Sequence, residues 1–562
     1  MLIALSEREK MSPASPDSVT VDIVGAHLLA IAEEMGVALI RAAYSPNVKE
    51  RHDCSTSLLD RDGQTIAQAE HIPLHMGSML GFIPQLVEVF EDDINPGDVF
   101  IANDPYVGGS THLPDVVVVA PLFDAEGLAG FAATVAHHAE FGGSLGSSPD
   151  IFGEGLRIPP VRIFHKGVLD DDVLRLILLN CRNPRERLGD LRAQFAAVRL
   201  GATRYDELCG KYESAVVRTA TGAWLDKAET QARAALAQLP AGVYSFEDWM
   251  DYDGAGTTDI PIRVTLRVDD SGIVIDFDGT ADQVKGQINA VRSGINATVY
   301  FTVKAILDPD LPANAGFYRA ITIETRPGSI VDPLSPAPVW SRSDTCQRVA
   351  DAILGAFAQA VPDRVPAASH GSVTAIHLSG HDPRRDEFFS YVEVLGGGFG
   401  ARPASDGPDA VQSHVTNTAN TPAEALEIAY PLRVEAYALR ERSGGAGKYR
   451  GGMGICRDVR VLVDGVHLTV KGDRVQRGPW GLRGGAPGAP LDFLLDPGTD
   501  HERRLRRPDN GSVIPKDSIV RVLSAGGGGY GPPHERDPHA AREDRLDGLE
   551  PAPANASEGS SQ

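Results

Sequence analysis

Val116-Val117-Val118-Val119-Ala120-Pro121-Leu122-Phe123, then Asp124-Ala125-Glu126-Gly127, then Leu128-Ala129-Gly130-Phe131-Ala132-Ala133-Thr134-Val135-Ala136: two apolar runs meet across a four-residue turn. This is the pattern of an antiparallel hairpin. Partners across such a turn have residue numbers of constant sum, so a turn centred near Glu126 pairs Asp115 with His137 at the open end. His112, on the loop just before Asp115, reaches the same point.

Upstream, Asn103-Asp104-Pro105-Tyr106-Val107-Gly108-Gly109-Ser110-Thr111-His112-Leu113-Pro114-Asp115 puts an imidazole and carboxylates on a Pro/Gly-shaped loop. Asn95-Pro96-Gly97-Asp98 reads as a turn and Val99 to Ala102 as the short strand that delivers the loop. Downstream, His137-His138-Ala139-Glu140-Phe141-Gly142-Gly143 ends the second strand with adjacent imidazoles. Earlier still, Val21 to Ala43 repeats apolar residues at helical spacing and stops at Ser45-Pro46-Asn47. Ser55 to Asp60 and Thr65 to Ala69 flank the Asp62-Gly63 turn as a hairpin with Asp53 at its mouth, and Leu74 to Phe90 reads as helix despite Pro84.

Two imidazoles with two carboxylates suit a borderline divalent ion such as Zn²⁺, Mn²⁺ or Fe²⁺, whereas thiolates favour zinc and all-oxygen sets favour Ca²⁺ or Mg²⁺. The residues predict a metal set of Asp53, His112, Asp115 and His137. The plain alternative is that His112 and Asp115 cap a turn while His137 and His138 satisfy local backbone groups.

The 562 residues, 42% of them hydrophobic, suffice for sizeable cores in more than one region. A formal charge of −23 argues against nucleic acid as a partner, and the basic cluster His501 to Arg507 reads as a solvated loop. Five scattered cysteines without a CxxC pair fit free thiols in a reducing cytoplasm. No signal peptide is read in Met1 to Pro16, and Val116 to Phe123, the longest clear apolar run, is too short to span a bilayer, so a cytoplasmic protein without a membrane partner is expected. The glycine runs match neither a phosphate loop nor a dinucleotide fingerprint, and no GxSxG elbow occurs.

Arg185 to Gln238 predicts long helices, and Gly242 to Asp278 alternates as strands. Beyond residue 385, glycine-dense segments such as Gly396 to Gly400 and Gly526 to Gly531 predict short strands with tight corners. The expected fold class is α+β, with mixed helices, mainly antiparallel sheets and a β-rich C-terminal part. The regions are a flexible leader (1–19), a metal-site domain with a helical segment (20–240), a mixed α/β region (241–385), a Gly-rich β region (386–533) and a disordered tail (534–562).

Several motifs in order carry a resemblance: Ser45 to Asp53, Ala69 to Met79, the 103–115 loop, Gly153 to Pro160, Arg187 to Gln194, Asn417 to Pro422, Tyr430 to Glu435 and Gly526 to Gly531. Together they resemble the hydantoinase B/oxoprolinase family. The resemblance implies the metal-bearing subunit of an ATP-dependent cyclic amide hydrolase of the hydantoin or 5-oxoproline type. ATP with Mg would sit on a hydantoinase A-like partner that phosphorylates the substrate, making the assembly a hetero-oligomer. His138 or Glu140 would then move the proton. The alternatives are a subunit of an ATP-dependent ketone carboxylase, of the acetone or acetophenone type, and a scaffold with a structural metal. The family's loop often reads Gly-Gly-Thr-His; here Ser110 is an extra residue before Thr111-His112, which makes Asp104 a reserve ligand.

Overall fold

The computed structural model describes residues 16–69, 72–91, 93–143, 148–270, 272–506 and 511–549. Residues 1–15 of the expected leader, Glu70 and His71 of the second motif, Arg507 of the basic cluster and residues 550–562 lie outside the described residues. The fold is α+β, built on four mainly antiparallel sheets.

The N-terminal sheet has the order β2-β1-β5-β4-β3-β6-β7. Its strands are β1 (Cys54–Asp60), β2 (Thr65–Ala69), β3 (Val99–Ala102), β4 (Asp115–Asp124), β5 (Gly127–His137), β6 (Val161–His165) and β7 (Val168–Leu169). The helices of this region are α1 (Ser18–Ala42), α2 (Pro46–Lys49), α3 (His75–Phe90), α4 (Asp171–Leu179), α5 (Pro184–Tyr212) and α6 (Ser214–Leu236). β4 is a continuous apolar run because both of its faces are covered. Val116, Val118 and Ala120 pack with α1 and α5, while Val117 and Val119 pack with Phe82 and Leu86 of α3.

α1 is the one described helix long and apolar enough to cross a membrane. Val24, Leu28, Met35 and Leu39 along it are fully buried in the protein.

The second sheet, β11-β10-β9-β8, comprises β8 (Gly242–Tyr252), β9 (Thr258–Asp269), β10 (Gly272–Asp276) and β11 (Ile321–Glu324). It packs with α7 (Arg292–Leu307), α8 (Ala315–Tyr318) and α9 (Arg342–Ala360) around the largest apolar core. The remaining strands are β12 (Thr374–Asp382), β13 (Glu387–Leu395), β14 (Leu432–Leu439), β15 (Ile455–Val461), β16 (Val466–Lys471), β17 (Asp492–Leu495), β18 (Arg503–Arg504), β19 (Ser512–Ile514) and β20 (Ile519–Leu523). They form two sheets, β13-β12-β16-β19 and β14-β15-β20-β17-β18. α10 (Ala423–Ala429) precedes β14, and α11 (Pro538–Leu546) closes the described chain.

Three expectations are corrected. The boundary at 385/386 falls inside the β12–β13 hairpin, whose strands pair along their whole length, so the C-terminal unit begins at β12. The segment after 533 is not disordered as far as residue 549: Arg536 and Arg450 grip Asp544 of α11, an ionic anchor that compensates for the lack of apolar material. The glycine runs form interleaved backbone rather than strand corners. Gly398 N–H donates to Ala525, Gly452 N–H to Phe399 and Gly527 N–H to Gly452. A Cβ on Gly398 would lie 1.9 Å from the Gly452 carbonyl oxygen.

One packing contact sets the 103–115 loop. Gly109 has φ +70, and a Cβ there would come within 2.1 Å of the Gly81 carbonyl carbon in α3. Backbone lies directly on backbone, and only glycine permits both the conformation and the approach. Gly109→Ala should therefore lower stability by at least about 2 kcal/mol in urea denaturation. A loss below about 0.5 kcal/mol would mean that loop and helix separate freely.

Candidate metal centre

The hairpin register is the expected one: Asp115 pairs with His137 across β4 and β5. On the other side of β5, Cys54 pairs with Ala136 and the His137 N–H donates to the Asp53 carbonyl at 2.9 Å. Asp53, His137 and Asp115 thus form one row across three strands. Members of a row share a face of the sheet, and this face is the one covered by α3.

Asp115 is wholly buried. Its Oδ1 lies 2.9 Å from His112 Nε2 and 2.9 Å from His137 Nδ1, and the two ring nitrogens are 3.1 Å apart. Asp115 Oδ2 accepts from Arg342 Nη2 at 2.6 Å and from Thr111 Oγ1 at 2.9 Å. His75, at the start of α3, places Nε2 3.5 Å from Asp53 Oδ1 and 3.8 Å from Asp115 Oδ1. Ser110 Oγ donates to the carbonyls of His112 and Asp115 at 3.1 and 2.8 Å, so the extra residue braces the loop without displacing His112.

The electrostatics fit a cation. Burial, with Arg342 nearby, holds His112 well below the ordinary imidazole value, so its ring is neutral. His112 Nδ1 faces the Trp340 carbonyl at 3.1 Å and must carry the ring's single proton. Nε2 then turns a lone pair toward the Asp115 carboxylate, which stays ionised: burial alone would raise its pKa, but the Arg342 guanidinium on Oδ2 outweighs it. A carboxylate oxygen and one nitrogen from each of two imidazoles lie within 4.8 Å of one another, a donor set that suits a divalent cation. The Trp340 carbonyl fixes the orientation of the His112 imidazole. Glu154 holds that carbonyl's segment in turn, accepting from the Val339 and Trp340 N–H groups at 3.0 and 2.9 Å.

Of the residues expected at this point, His112, Asp115 and His137 converge, and Asp53 stands beside them through His75. The remaining expectations are corrected. His138 points to the opposite face of the sheet, where its Nε2 meets Gln194 of α5 at 3.0 Å, because successive strand residues alternate. Glu140 lines the neighbouring cavity, but its carboxylate accepts from the N–H groups of Gly142, Arg182 and Asn183, which is the work of a turn brace rather than a proton carrier. Asp104 caps Tyr106 and Val107 and pairs with Arg157, outside the cluster. The sequence reading missed His75 and Arg342. His75 lay in the Ala69 to Met79 motif at a predicted helix start; Arg342 had no local signal.

The cluster opens onto a cavity of about 510 Å³ bounded by all three regions, including Asp53, His75, His112, His137 and Arg342. A buried carboxylate–imidazole cluster at a cavity wall, on an α+β scaffold, has the form of a small-molecule site. The chain belongs to the hydantoinase B/oxoprolinase family, whose sequence profile matches residues 17–533.

It is 38% identical to an uncharacterized protein of Methanocaldococcus jannaschii, over 94% of this chain and 93% of that one. It is 34% identical to a proposed D-/L-hydantoinase chain of the B type from Pseudomonas sp. (strain NS671), over 95% and 93%. At 32% identity it matches 5-oxoprolinase 1 of Arabidopsis thaliana over 93% of this chain, spanning only 42% of that longer protein. Among solved structures, the ATP-dependent caprolactamase from Pseudomonas jessenii superposes with a TM-score of 0.89 at 27% identity, covering 95% of each chain. Acetone carboxylase shares the fold, with a TM-score of 0.86 at 19% identity over 94% of this chain and 78% of that one.

Burial pushes His138, His370 and His377 down to about 4, about 3 and about 4. In the unfolded chain an imidazole binds its proton near 6.5. The unfolded state therefore binds more protons between those values, and stability falls as pH drops from about 6.5 toward 4. Urea titrations across this range should show that slope, with His138→Gln taking up one proton fewer. An unchanged slope in that variant would place His138 in water.

Proposed function

We propose that this chain is the metal-bearing subunit of an ATP-dependent cyclic amide hydrolase of the hydantoin or 5-oxoproline type, working in the cytoplasm with a hydantoinase A-like partner. The observation that carries the reading is the convergence of Asp115, His112 and His137 on one point at the wall of a cavity sized for a small molecule. A cluster open to a cavity suits catalysis, whereas a structural ion is closed off by its ligands. The names of the relatives support the chemistry: one is a proposed hydantoinase chain and another a caprolactamase.

Asp53, His112, Asp115 and His137 would hold Zn²⁺, Mn²⁺ or Fe²⁺, which when bound supplies Lewis acidity and activates a nucleophile. ATP with Mg belongs on the partner, consistent with the lack of a phosphate loop in this sequence. There the γ-phosphoryl group passes to the amide oxygen. In this chain's cavity the activated ring opens at its C–N bond; ring opening consumes one water and release of phosphate a second. Arg342 keeps Asp115 ionised and oriented, His75 steadies the Asp53 carboxylate, and the Trp340 carbonyl fixes the proton of His112 on Nδ1.

A second reading, ATP-dependent carboxylation of a ketone, is favoured by the fold shared with acetone carboxylase. The complex reconstituted with its partner should couple ATP hydrolysis to opening of hydantoin, 5-oxoproline or caprolactam. ATP-dependent fixation of bicarbonate onto a ketone without amide hydrolysis would decide for the carboxylase. Asp115→Asn should cut product formation at least about 100-fold, beyond the 10- to 100-fold typical of losing an outer partner. Elemental analysis of His112→Ala should show metal lost relative to wild type; full retention would overturn the ligand set.

A further inference from the structure

One wall of the cavity is a face of the β13-β12-β16 sheet, and its chemistry differs from that of the metal cluster. His377 of β12 pairs with Val392 of β13 on one side and Thr469 of β16 on the other, and all three line the cavity. His377 Nε2 meets Ser390 Oγ at 2.9 Å, which leaves Nδ1 with no partner among the described residues.

Two guanidinium groups line the same cavity as this imidazole. Arg51, 1% exposed, donates from Nη1 to the Val392 carbonyl and to Asn47 Oδ1, while its Nε is buried without a partner. Arg182 lies close enough to His377 to disfavour its protonation. Its Nη1 is 3.5 Å from Glu140 Oε2, and Nη2 donates to the Gly143 carbonyl. Away from the metal cluster, the carboxylates lining the cavity are Glu140 and Asp253. Both are bound by backbone N–H groups, Asp253 by those of Ala255, Thr257 and Gly286. With Arg51, Arg182, Lys285 and Lys471 against these two carboxylates, cationic side chains are in excess along this part of the lining, within a chain of net charge −23.

We propose that Arg51, Arg182 and His377 form an anion subsite of the cavity, distinct from the metal cluster, that holds a carboxylate or phosphoryl group of the substrate. Guanidinium groups offer planar forks matched to such oxyanions, and the His377 ring adds one hydrogen bond from a fixed position. Which compound brings the anion rests on the amide-hydrolase reading; the subsite itself rests on the wall. A phosphorylated amide carries such a group, and so does a ring amide with a carboxylate substituent.

The test is calorimetry of inorganic phosphate and of acetate with the full chain, before and after metal is stripped with a chelator. Binding at the metal cluster disappears on stripping, whereas binding at this subsite persists. Arg182→Gln should weaken the persisting anion at least about tenfold, the loss expected for a hydrogen bond to a charged group. His377→Leu should weaken it in the same direction. Tighter phosphate than acetate identifies the phosphoryl group as the occupant, and the reverse a carboxylate. Absence of binding to the stripped chain, or affinity unchanged in both variants, overturns the proposal. If Arg182→Gln fails to fold, His377→Leu decides alone. A stripped chain that binds anion in a complex that opens no ring overturns only the amide-hydrolase reading.

Discussion

The fully buried carboxylate of Asp115 is the constraint around which the molecule is arranged. A lone charge in that position would be neutralised or expelled, since its desolvation costs several kcal/mol. It is tolerated because one of its oxygens is bound by Arg342 and Thr111. Those partners come from distant parts of the chain: the 103–115 loop and the first turn of α9. The ion pair with Arg342 consequently ties the N-terminal sheet to the middle region at the centre of the site.

A second buried ionic cluster ties the middle region to the C-terminal one. Arg348 of α9 binds Asp473, and Arg474 binds Asp248 of β8 and Asp351 of α9. Breaking one member of such a cluster leaves an uncompensated charge, so the arrangement resists sliding of one region past the next. The helix α9 carries both clusters, with Arg342 at its start and Arg348 and Asp351 two turns on. It therefore sets the distance between the metal cluster and the wall bearing His377.

Much of the centre was legible because a sheet converts sequence spacing into position by a simple rule. The β4–β5 hairpin has a short turn and two long apolar arms, so pairing Asp115 with His137 needed only the period of two and a turn centre. Asp53 followed from standing at the mouth of the neighbouring hairpin. The same rule, applied one residue further, would have sent His138 to the far face, where the structure puts it. What stayed hidden depends on tertiary packing. His75 enters because α3 lies over the row Asp53–His137–Asp115, and Arg342 because the middle region folds back on the sheet. Glycine runs were misread as strand corners because interleaved backbone has no periodic side-chain pattern to reveal it. The ordered end around α11 was missed because ionic anchors, unlike apolar ones, look the same as solvated charge in a sequence.

The order of these parts along the chain has a consequence for how the protein is made. Residues Asp53 to His137 leave the ribosome well before Arg342, so the three-strand row can assemble while the counter-charge for Asp115 is still missing. Domains generally form from the N-terminus during synthesis. A nascent chain at that stage carries an unbalanced carboxylate among imidazoles, open to solvent on the side that the later regions will cover. Closure of the site therefore waits for α9: the carboxylate acquires its counter-charge only as the middle region folds onto the sheet.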